Sequence, residues 1–349
     1  MRAAVLTEHG EPLEMREVDR PQAADDGVVV DIEACGICRS DWHAWVGDMG
    51  RDMTGQVLGH EPAGTVIEVG DDVESIREGD RVTVPFNLAD GTCPRCLNGN
   101  SHRCEAGHSL GFHPDVPGAF AEEMHAPWAD MNAIKLPDGV STEEMAGLGC
   151  RFMTSFHALS HRADVEAGDW VAVHGCGGIG LSAVNIATAL GGNVIAVDLH
   201  DEKLEMAKGL GAEETVNAQD VEDVPEEVRD ITDGGADVSV DALGIAETCQ
   251  NSVNSLGFFG QHVQIGLTTQ EEGGEIALPT DAMVSQEIEF IGSLGMQPTR
   301  YDEIFRMVER DRVHPEEVIT QSVALEDVSD RLAAMTDYDT RGIEVITEF

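Results

Sequence analysis

The residues Val171-Ala-Val-His-Gly175-Cys-Gly177-Gly178-Ile179-Gly180 indicate the fold of the second half of this chain. A run of apolar residues ends in the motif G-x-G-x-x-G, and the pattern of a helix follows over 179–190. The glycines of this motif allow a tight turn, a close approach of the backbone to pyrophosphate, and close packing of helix on strand. The positive helix N-terminus then attracts phosphate. With a strand before it and a helix after it, the motif predicts a dinucleotide site rather than an ordinary turn.

An acidic residue follows where such a site requires one. The run Asn193-Val-Ile-Ala-Val-Asp198 places Asp198 at the end of the next predicted strand. A carboxylate there accepts hydrogen bonds from the ribose hydroxyls and repels a 2′-phosphate. The sequence therefore favours NAD over NADP as the cofactor.

Strand-like and helix-like runs alternate from Asp169 onward. The predicted strands are 170–174, 193–197, 215–217, 237–241, 260–265 and 288–292, and the predicted helices lie near 178–190, 201–210, 223–231 and 246–256. This alternation predicts an α/β domain with a doubly wound parallel sheet. After Ser293 we predict helices over 299–310 and 325–336 and a strand over 343–347.

The first half of the chain has a different rhythm. Short β-like runs broken by glycines occur at 28–34, 63–70 and 79–85, which predicts a compact, mainly antiparallel β domain. A length of 349 residues also suggests about two domains.

Three residues have the chemistry of a catalytic metal site: Cys38, His60 and the distant Cys150. Zinc prefers cysteine sulfur and histidine nitrogen, and a catalytic site uses three protein ligands so that a fourth position stays open. Alone, a buried cysteine usually packs as a small hydrophobe, and a histidine is often only hydrogen-bonded. Together with the cofactor motif, the three residues predict a catalytic zinc site.

The charge balance is strongly acidic: 66 Asp and Glu against 21 Lys and Arg give a formal net charge of -45. Such a surface repels nucleic acid and anionic membranes, and it strains its own folded state at low salt. Concentrated salt removes much of this repulsion. Because the acids are scattered over the whole chain, we interpret them as an adaptation to a salt-rich cytosol, with a basic partner as the alternative.

The N-terminal stretch from Met1 to His9 lacks the apolar region of a secretory signal, and no later run has the length of a membrane span. We therefore expect an intracellular, cytoplasmic protein. In such a protein the eight cysteines are better interpreted as thiols and metal ligands than as a disulfide framework.

These motifs, in this order and near this spacing, resemble the zinc-dependent medium-chain alcohol dehydrogenases, and the acidic composition suggests a halophilic type. The resemblance covers nearly all 349 residues. It implies a GroES-like β-barrel catalytic domain over 1–152 and a Rossmann NAD-binding domain over 153–293. It further implies that the segment 294–349 returns to the catalytic domain.

The resemblance also assigns roles near the metal. It implies that Ser40 and His43 form a proton relay, and that Glu61 lies beside the ligands without being a resting ligand. We expect Asp41 to orient His60, because a carboxylate is a common partner for the free nitrogen of a metal-bound imidazole. A turn hydroxyl is the alternative for Ser40, and an exposed surface imidazole is the alternative for His43.

Further positions match the family's cofactor and substrate contacts. Lys203 matches a second ribose contact, Thr154 a nicotinamide contact, and Arg341 a pyrophosphate contact. The positions that match pocket-lining residues are Trp45, Phe86 and Leu294. Aromatic walls suggest an uncharged, partly apolar alcohol or aldehyde. The alternatives are a surface charge for Lys203 and core packing for the pocket residues.

One lobe departs from the family pattern. The family's structural zinc lobe has four cysteines, and this chain keeps their spacing with Asp90, Cys93, Cys96 and Cys104. Because a carboxylate oxygen can also ligate zinc, a second, structural zinc ion is possible, though an aspartate weakens a site of soft ligands. We favour an occupied lobe over a metal-free one.

The sequence thus predicts an NAD-dependent zinc alcohol dehydrogenase that transfers hydride reversibly between NAD and a small primary or secondary alcohol. The resemblance implies a homodimer or homotetramer. One alternative is an NAD(P)-dependent polyol or sugar dehydrogenase. Another is a non-catalytic nucleotide-binding protein on the same fold.

Overall fold

The structure, a computed structural model, describes residues 1–336 and 340–349 and divides the chain into two compact units. The first contains Met1–Met153, Gly295–Arg310 and Ile319–Phe349, and the second contains Thr154–Leu294 and Asp311–Val318. In the second unit, the Arg312 guanidinium donates to the carbonyl of Ala189 and the His314 N–H donates to the Asn185 side chain. The predicted returning segment, 294–349, therefore contains a short piece that packs on the second unit.

The described residues form these secondary-structure elements. The strands are β1 (Arg2–Val5), β2 (Glu14–Glu17), β3 (Val28–Ile37), β4 (Pro62–Val69), β5 (Arg81–Thr83), β6 (Glu123–Ala126), β7 (Ile134–Lys135), β8 (Trp170–His174), β9 (Asn193–Asp198), β10 (Glu214–Asn217), β11 (Ala236–Asp241), β12 (Leu256–Gln264), β13 (Glu289–Gly292), β14 (Ile319–Ala324) and β15 (Ile343–Glu348). The helices are α1 (Arg39–Val46), α2 (Pro94–Leu97), α3 (Ala129–Asn132), α4 (Thr142–Gly147), α5 (Cys150–His157), α6 (Gly178–Leu190), α7 (Asp201–Gly209), α8 (Val224–Thr232), α9 (Ala246–Asn254), α10 (Thr280–Gln286), α11 (Tyr301–Glu309), α12 (Pro315–Val318) and α13 (Val328–Thr336). Three short 3₁₀ helices span Ser101–Arg103, Pro298–Arg300 and Leu325–Asp327, and a π-helical turn spans Ala158–Arg162.

A seven-stranded sheet dominates the first unit. Its order is β14-β15-β3-β4-β5-β7, with β6 also paired to β3. All pairs are antiparallel except β14 with β15. The ten-residue β3 pairs with three other strands, and its last residue, Ile37, leads directly into Cys38. The most extensively paired strand of this sheet therefore delivers the first candidate metal ligand.

The second unit is built on six parallel strands in the order β10-β9-β8-β11-β12-β13. This is the strand order of a doubly wound nucleotide-binding sheet, which confirms the predicted α/β class. Its core includes Ala172, Ile195, Val197, Val216 and Leu256 from the strands, packed by Val224 and Val228 of α8. Burial of such a sheet on both faces explains the nearly continuous apolar runs in the sequence.

Among the residues described, no helix combines the length and the apolar character needed to cross a bilayer.

Candidate active site

Asp41 organises the first candidate metal site. It is fully buried in the first turn of α1, and its Oδ2 accepts the backbone N–H of Cys38 at 3.0 Å. Its Oδ1 accepts the backbone N–H of Gly59 at 3.0 Å and the Nδ1–H of His60 at 2.9 Å. Because Nδ1 donates to a carboxylate, the lone pair of the neutral ring is on Nε2. This is the contact that the predicted orienting role of Asp41 requires.

Gly59 allows His60 to take this position. Its φ of +93° is in the left-handed region, and a Cβ there would lie 2.5 Å from Cδ1 and 2.7 Å from the backbone nitrogen of Phe120. A residue with a side chain would therefore clash with its neighbours and be strained as well.

Cys38, His60, Glu61 and Cys150 form a buried cluster whose potential ligand atoms all lie within 4.8 Å of one another. His60 Nε2 is buried and has no hydrogen-bond partner within the described part of the chain. A buried polar atom without a partner costs free energy. Two thiols and an imidazole nitrogen are donors that zinc prefers, so the cluster fits a catalytic zinc ion.

The close contacts within the cluster shift its pKa values. The contact with Cys150 lowers the pKa of Cys38 well below its ordinary value, although burial opposes this. The contact with Cys38 and burial raise the pKa of Cys150 well above its ordinary value. Burial alone would lower the pKa of His60, but Asp41 and Cys38 raise it well above its ordinary value. Cys150 and His60 therefore hold protons where a cation would otherwise bind, so metal binding should release protons.

Glu61 is paired with Arg151, a residue that no sequence motif marks. The Arg151 guanidinium donates to Oε2 at 2.6 Å and to Oε1 at 3.3 Å, and its backbone N–H donates to Oε1 at 3.2 Å. The two side chains are 5% and 1% exposed. Burial raises the pKa of Glu61, and Arg151 opposes that shift. Both carboxylate oxygens are engaged, which supports the expectation that Glu61 is not a resting ligand.

Ser40 and His43 follow Cys38 on α1. Cys38 Sγ lies 3.9 Å from Ser40 Oγ, and His43 Nδ1 lies 3.3 Å from Asp48 Oδ2. Burial lowers the pKa of His43, with Asp48 acting in the opposite direction. His43 is buried, so it is not the exposed surface imidazole of the alternative interpretation. Within the described residues, no direct hydrogen bond joins Ser40 to His43.

Two phenylalanine rings flank His60. The Phe86 ring meets it edge-on with a centroid separation of 5.8 Å, and the Phe112 ring lies at 4.7 Å. Phe112 was missed because no local motif marks it. Trp45 is buried, and its indole N–H donates to the carbonyl of Glu11 at 2.7 Å. Leu294 is half-buried and belongs to the second unit.

The predicted phosphate loop lies between β8 and α6. Gly175 has a φ of +94°, and a Cβ on it would lie 2.7 Å from Leu243 Cγ. A Cβ on Gly180 would lie 1.7 Å from the carbonyl oxygen of Gly175, whereas one on Gly177 would meet nothing within 4 Å. Gly177 caps α6, whose first three residues are Gly178, Ile179 and Gly180. This tight turn with open space at its apex fits a pyrophosphate at a helix N-terminus.

Other predicted cofactor residues are placed as follows. Asp198 ends β9, and its Oδ2 accepts the backbone N–H of Cys176 at 2.7 Å. Lys203 is buried in the first turn of α7, and Thr154 is buried in α5. Arg341 is exposed shortly before β15, in the first unit. The structure thus joins Asp198 to the phosphate loop, and the roles of Lys203, Thr154 and Arg341 stay predictions.

Asp90, Cys93, Cys96 and Cys104 form a second donor cluster, and it is half-buried. The Cys93 sulfur lies 3.5 Å from that of Cys96 and 3.9 Å from that of Cys104. Asp90 Oδ1 lies 3.1 Å from the Cys104 sulfur and 4.0 Å from the Cys96 sulfur. Tetrahedral zinc with bonds of ~2.3 Å to sulfur requires donor separations of ~3.8 Å, so the lobe fits a zinc ion.

Two groups of the lobe, Asp90 and Cys93, have lowered pKa values, whereas burial raises the pKa of Cys96 and that of Cys104. Hydrogen bonds from Thr92 lower the pKa of Asp90 to about 2. Backbone N–H groups, first that of Glu105, lower the pKa of Cys93 to about 7. Aspartate as the first member of the cluster is therefore an ionised donor rather than a neutral one.

A metal-binding cluster of two thiols and one imidazole, together with a glycine-rich dinucleotide loop, defines a class of zinc- and nicotinamide-dependent oxidoreductases. Comparison with known families agrees: residues 24–138 match the alcohol dehydrogenase GroES-like domain, and residues 178–310 match the zinc-binding dehydrogenase domain. The chain belongs to the zinc-type medium-chain alcohol dehydrogenase family. This confirms the predicted GroES-like and Rossmann fold class and the recognised family.

Individual relatives are similar over nearly their whole length. An alcohol dehydrogenase of Geobacillus stearothermophilus is 34% identical over 332 residues, covering 95% of this chain and 94% of that protein. An NAD-dependent alcohol dehydrogenase of Saccharolobus solfataricus is 32% identical over 358 residues, covering 99% of each. The solved structure of an alcohol dehydrogenase from Thermus sp. ATN1 superposes with a TM-score of 0.91 at 28% identity, covering 100% of both chains.

Proposed function

We propose that this protein is an NAD-dependent alcohol dehydrogenase that converts a small primary or secondary alcohol and its aldehyde or ketone into one another. The observation that carries the proposal is the buried, unpartnered Nε2 of His60, which is grouped with two thiols and held from behind by Asp41. Family membership supports the same activity, because relatives covering nearly the whole chain are named alcohol dehydrogenases.

Cys38, His60 and Cys150 would hold the catalytic zinc, and the loop from Gly175 to Gly180 would hold the pyrophosphate of NAD. When both are bound, zinc acts as a Lewis acid toward the alcohol oxygen and NAD accepts hydride from the alcohol carbon. The protein's residues supply position and electrostatics. Arg151 would keep the carboxylate of Glu61 engaged, so that this carboxylate would not compete with the substrate for the metal.

Ser40 and His43 would carry the proton that the alcohol loses. Ser40 Oγ lies 3.9 Å from a metal-ligand sulfur, close enough to receive the substrate's proton while giving up its own. His43 would be the final acceptor, because Asp48 faces Nδ1 and leaves Nε2 to take a proton. A bridging hydroxyl group has to connect Ser40 with His43.

The substrate itself should be uncharged and partly apolar. The side chains of Phe86 and Phe112 lie against His60 and would form part of the pocket wall. Trp45 would extend it. A panel of ethanol, benzyl alcohol, secondary alcohols and glucose, each assayed with NAD and with NADP, tests this proposal.

Oxidation of simple alcohols with NAD would support the proposal. Activity confined to glucose or other polyols would overturn the substrate class and favour a polyol or sugar dehydrogenase. No turnover by a protein that contains zinc and binds NADH would favour the non-catalytic alternative. The variant His43→Gln should lower kcat while zinc content stays unchanged, because His43 is not a member of the donor cluster.

We also propose that the enzyme is of a halophilic type and works as a homo-oligomer in a high-salt cytosol. The net charge of -45 supports the first part, because self-repulsion on this scale weakens as salt shortens the Debye length. Thermal unfolding between about 0.1 M and 1 M potassium chloride should show a rising Tm. Light scattering across the same range would give the oligomeric state, and a Tm that falls with salt would contradict the proposal.

A further inference from the structure

His200 is bonded to the carboxylate that the sequence assigns to cofactor selection. Asp198 Oδ1 lies 3.0 Å from the ring Nδ1 of His200 and accepts the backbone N–H of the same residue at 3.0 Å. The other oxygen, Oδ2, accepts the N–H of Cys176 in the phosphate loop. The Asp198 side chain is 8% exposed, whereas that of His200 is 52% exposed. A ligand can therefore reach the imidazole while the carboxylate stays fixed.

The charge of this pair bears directly on which nicotinamide cofactor fits. A dinucleotide whose pyrophosphate lies on the loop places its adenosine ribose at the end of β9, beside Asp198. The 2′-phosphate of NADP adds up to roughly two negative charges at that point. A neutral imidazole leaves the repulsion by Asp198 in place. An imidazolium offsets it, and because Nδ1 is engaged by Asp198, its second N–H is left for the phosphate.

We propose that His200 is a specificity-determining residue that makes the choice between NAD and NADP depend on pH. At neutral and alkaline pH, Asp198 excludes the 2′-phosphate and NAD is strongly preferred. In mildly acidic solution, protonated His200 admits NADP as well. The proposal rests on the proposed NAD-dependent function and adds a rule for cofactor selection to it.

The other charged groups around His200 are few. Asp198 of β9 is the charged residue in contact with the imidazole, within the part of the chain that the structure describes. The first turn of α7 adds Asp201, Glu202 and Lys203, and Asp201 accepts a hydrogen bond from Asn217 of β10 at 2.7 Å. The phosphate loop contributes the backbone N–H of Cys176 rather than a charge. Histidine is the residue type among these groups whose charge changes between about pH 5 and 8.

The test is to measure the binding of NADH and of NADPH directly, with nicotinamide fluorescence as the signal. The titrations are carried out at about pH 5.5 and about pH 8.5, at one potassium chloride concentration. The 2′-phosphate itself gains a proton near pH ~6, so its own titration must be separated. His200→Asn provides this control, because it keeps a hydrogen-bonding side chain that does not titrate. His200→Arg supplies a positive charge at both pH values.

The measured quantity is the Kd for NADPH divided by the Kd for NADH. We expect acidification to lower this ratio in the wild type about tenfold more than it lowers the ratio in His200→Asn. His200→Arg should bind NADPH about tenfold more tightly than His200→Asn at the alkaline pH. Equal pH dependence in wild type and His200→Asn, or no gain in His200→Arg, would overturn the inference while NADH binding upholds the proposed function. Absence of NADH binding in all three proteins would instead contradict the proposed function and, with it, this inference.

Discussion

His60 Nδ1 and Asp41 Oδ1 lie 2.9 Å apart, and both side chains are fully buried. This contact ties the orientation of a candidate metal ligand to a carboxylate that is itself fixed by two backbone N–H groups. An aspartate is needed because all three of its contacts are donors.

Asp41→Asn should therefore weaken metal binding. Whichever way the amide lies, its NH₂ group faces a donor, either the Cys38 N–H or the Gly59 N–H and His60 ring. We expect zinc affinity to fall about 10- to 100-fold, measured by competition with a chelator. Asp48→Asn, which alters the partner of His43 instead, is the matched control and should keep zinc as the wild type does. Equal zinc affinity in Asp41→Asn and Asp48→Asn would show that Asp41 does not support the metal site.

Arg151→Met should be strongly destabilising, because it leaves the buried carboxylate of Glu61 without its cation. We expect a loss of about 3 to 5 kcal/mol in the free energy of unfolding, measured by denaturant titration. The exposed pair of Arg16 with Glu14 offers the comparison, and Arg16→Ala should cost less than about 1 kcal/mol. Adding Glu61→Gln to Arg151→Met should restore part of the loss. Equal costs for Arg151→Met and Arg16→Ala would refute this account of the pair.

His174 should make the fold sensitive to acid. Burial, with a smaller effect of His262, lowers the pKa of His174 from its ordinary value of 6.5 to about 3. The unfolded chain therefore takes up the proton first as the pH falls. The contribution of His174 to the free energy of unfolding is fully present above pH ~6.5. It is lost progressively toward pH ~3, by at most about 1.4 kcal/mol for each pH unit.

The variant His174→Gln removes this titration. Its free energy of unfolding, whatever its starting value, should fall less steeply between about pH 6.5 and 4.5 than that of the wild type. Ser182→Ala, which alters a buried side chain that does not titrate in this range, should leave the slope unchanged. Parallel slopes for wild type and His174→Gln would mean that the buried imidazole does not control acid stability.

The second cluster predicts a structural zinc ion that depends on Asp90. We expect about two zinc ions per chain in the wild type and about one in Asp90→Ala, measured by elemental analysis after dialysis. Asp90→Cys should retain zinc more strongly than the wild type, because thiolate is the softer ligand. Asp115→Ala, at an exposed aspartate, is the control. One zinc ion per chain in both the wild type and Asp90→Ala would contradict the prediction of a structural zinc site.

Local signals explain why much of the fold could be predicted. Helix α6, Gly178–Leu190, coincides with its predicted bounds because a glycine turn precedes it and Gly191, with a φ of +101°, ends it. Strand β12 begins at Leu256, before its predicted start, because glycines and a left-handed Phe259 interrupt the apolar pattern. Helix α10 was missed because it has no buried residue and hence no apolar stripe.

In the candidate site too, local groupings could be predicted and tertiary contacts could not. Cys38, Ser40, Asp41 and His43 are close in sequence, so spacing alone could group them on one helix. The ion pair of Glu61 with Arg151 joins residues 90 positions apart, and no local sequence pattern predicts it. Phe112 likewise reaches His60 only through the tertiary fold. The contact between Asp198 and His200 was within reach of the sequence, but no motif there distinguishes a bonded histidine from a surface one.

We propose that Cys38, His60 and Cys150 hold a zinc ion on which alcohol oxidation depends. The most direct test is zinc content together with NAD-dependent oxidation of a small alcohol, in high potassium chloride, for the wild type and Cys150→Ala. We predict an active wild type and an inactive, still folded variant that has lost about one zinc ion per chain and still binds NADH. A Cys150→Ala variant that keeps its full zinc content and its turnover would contradict the claim.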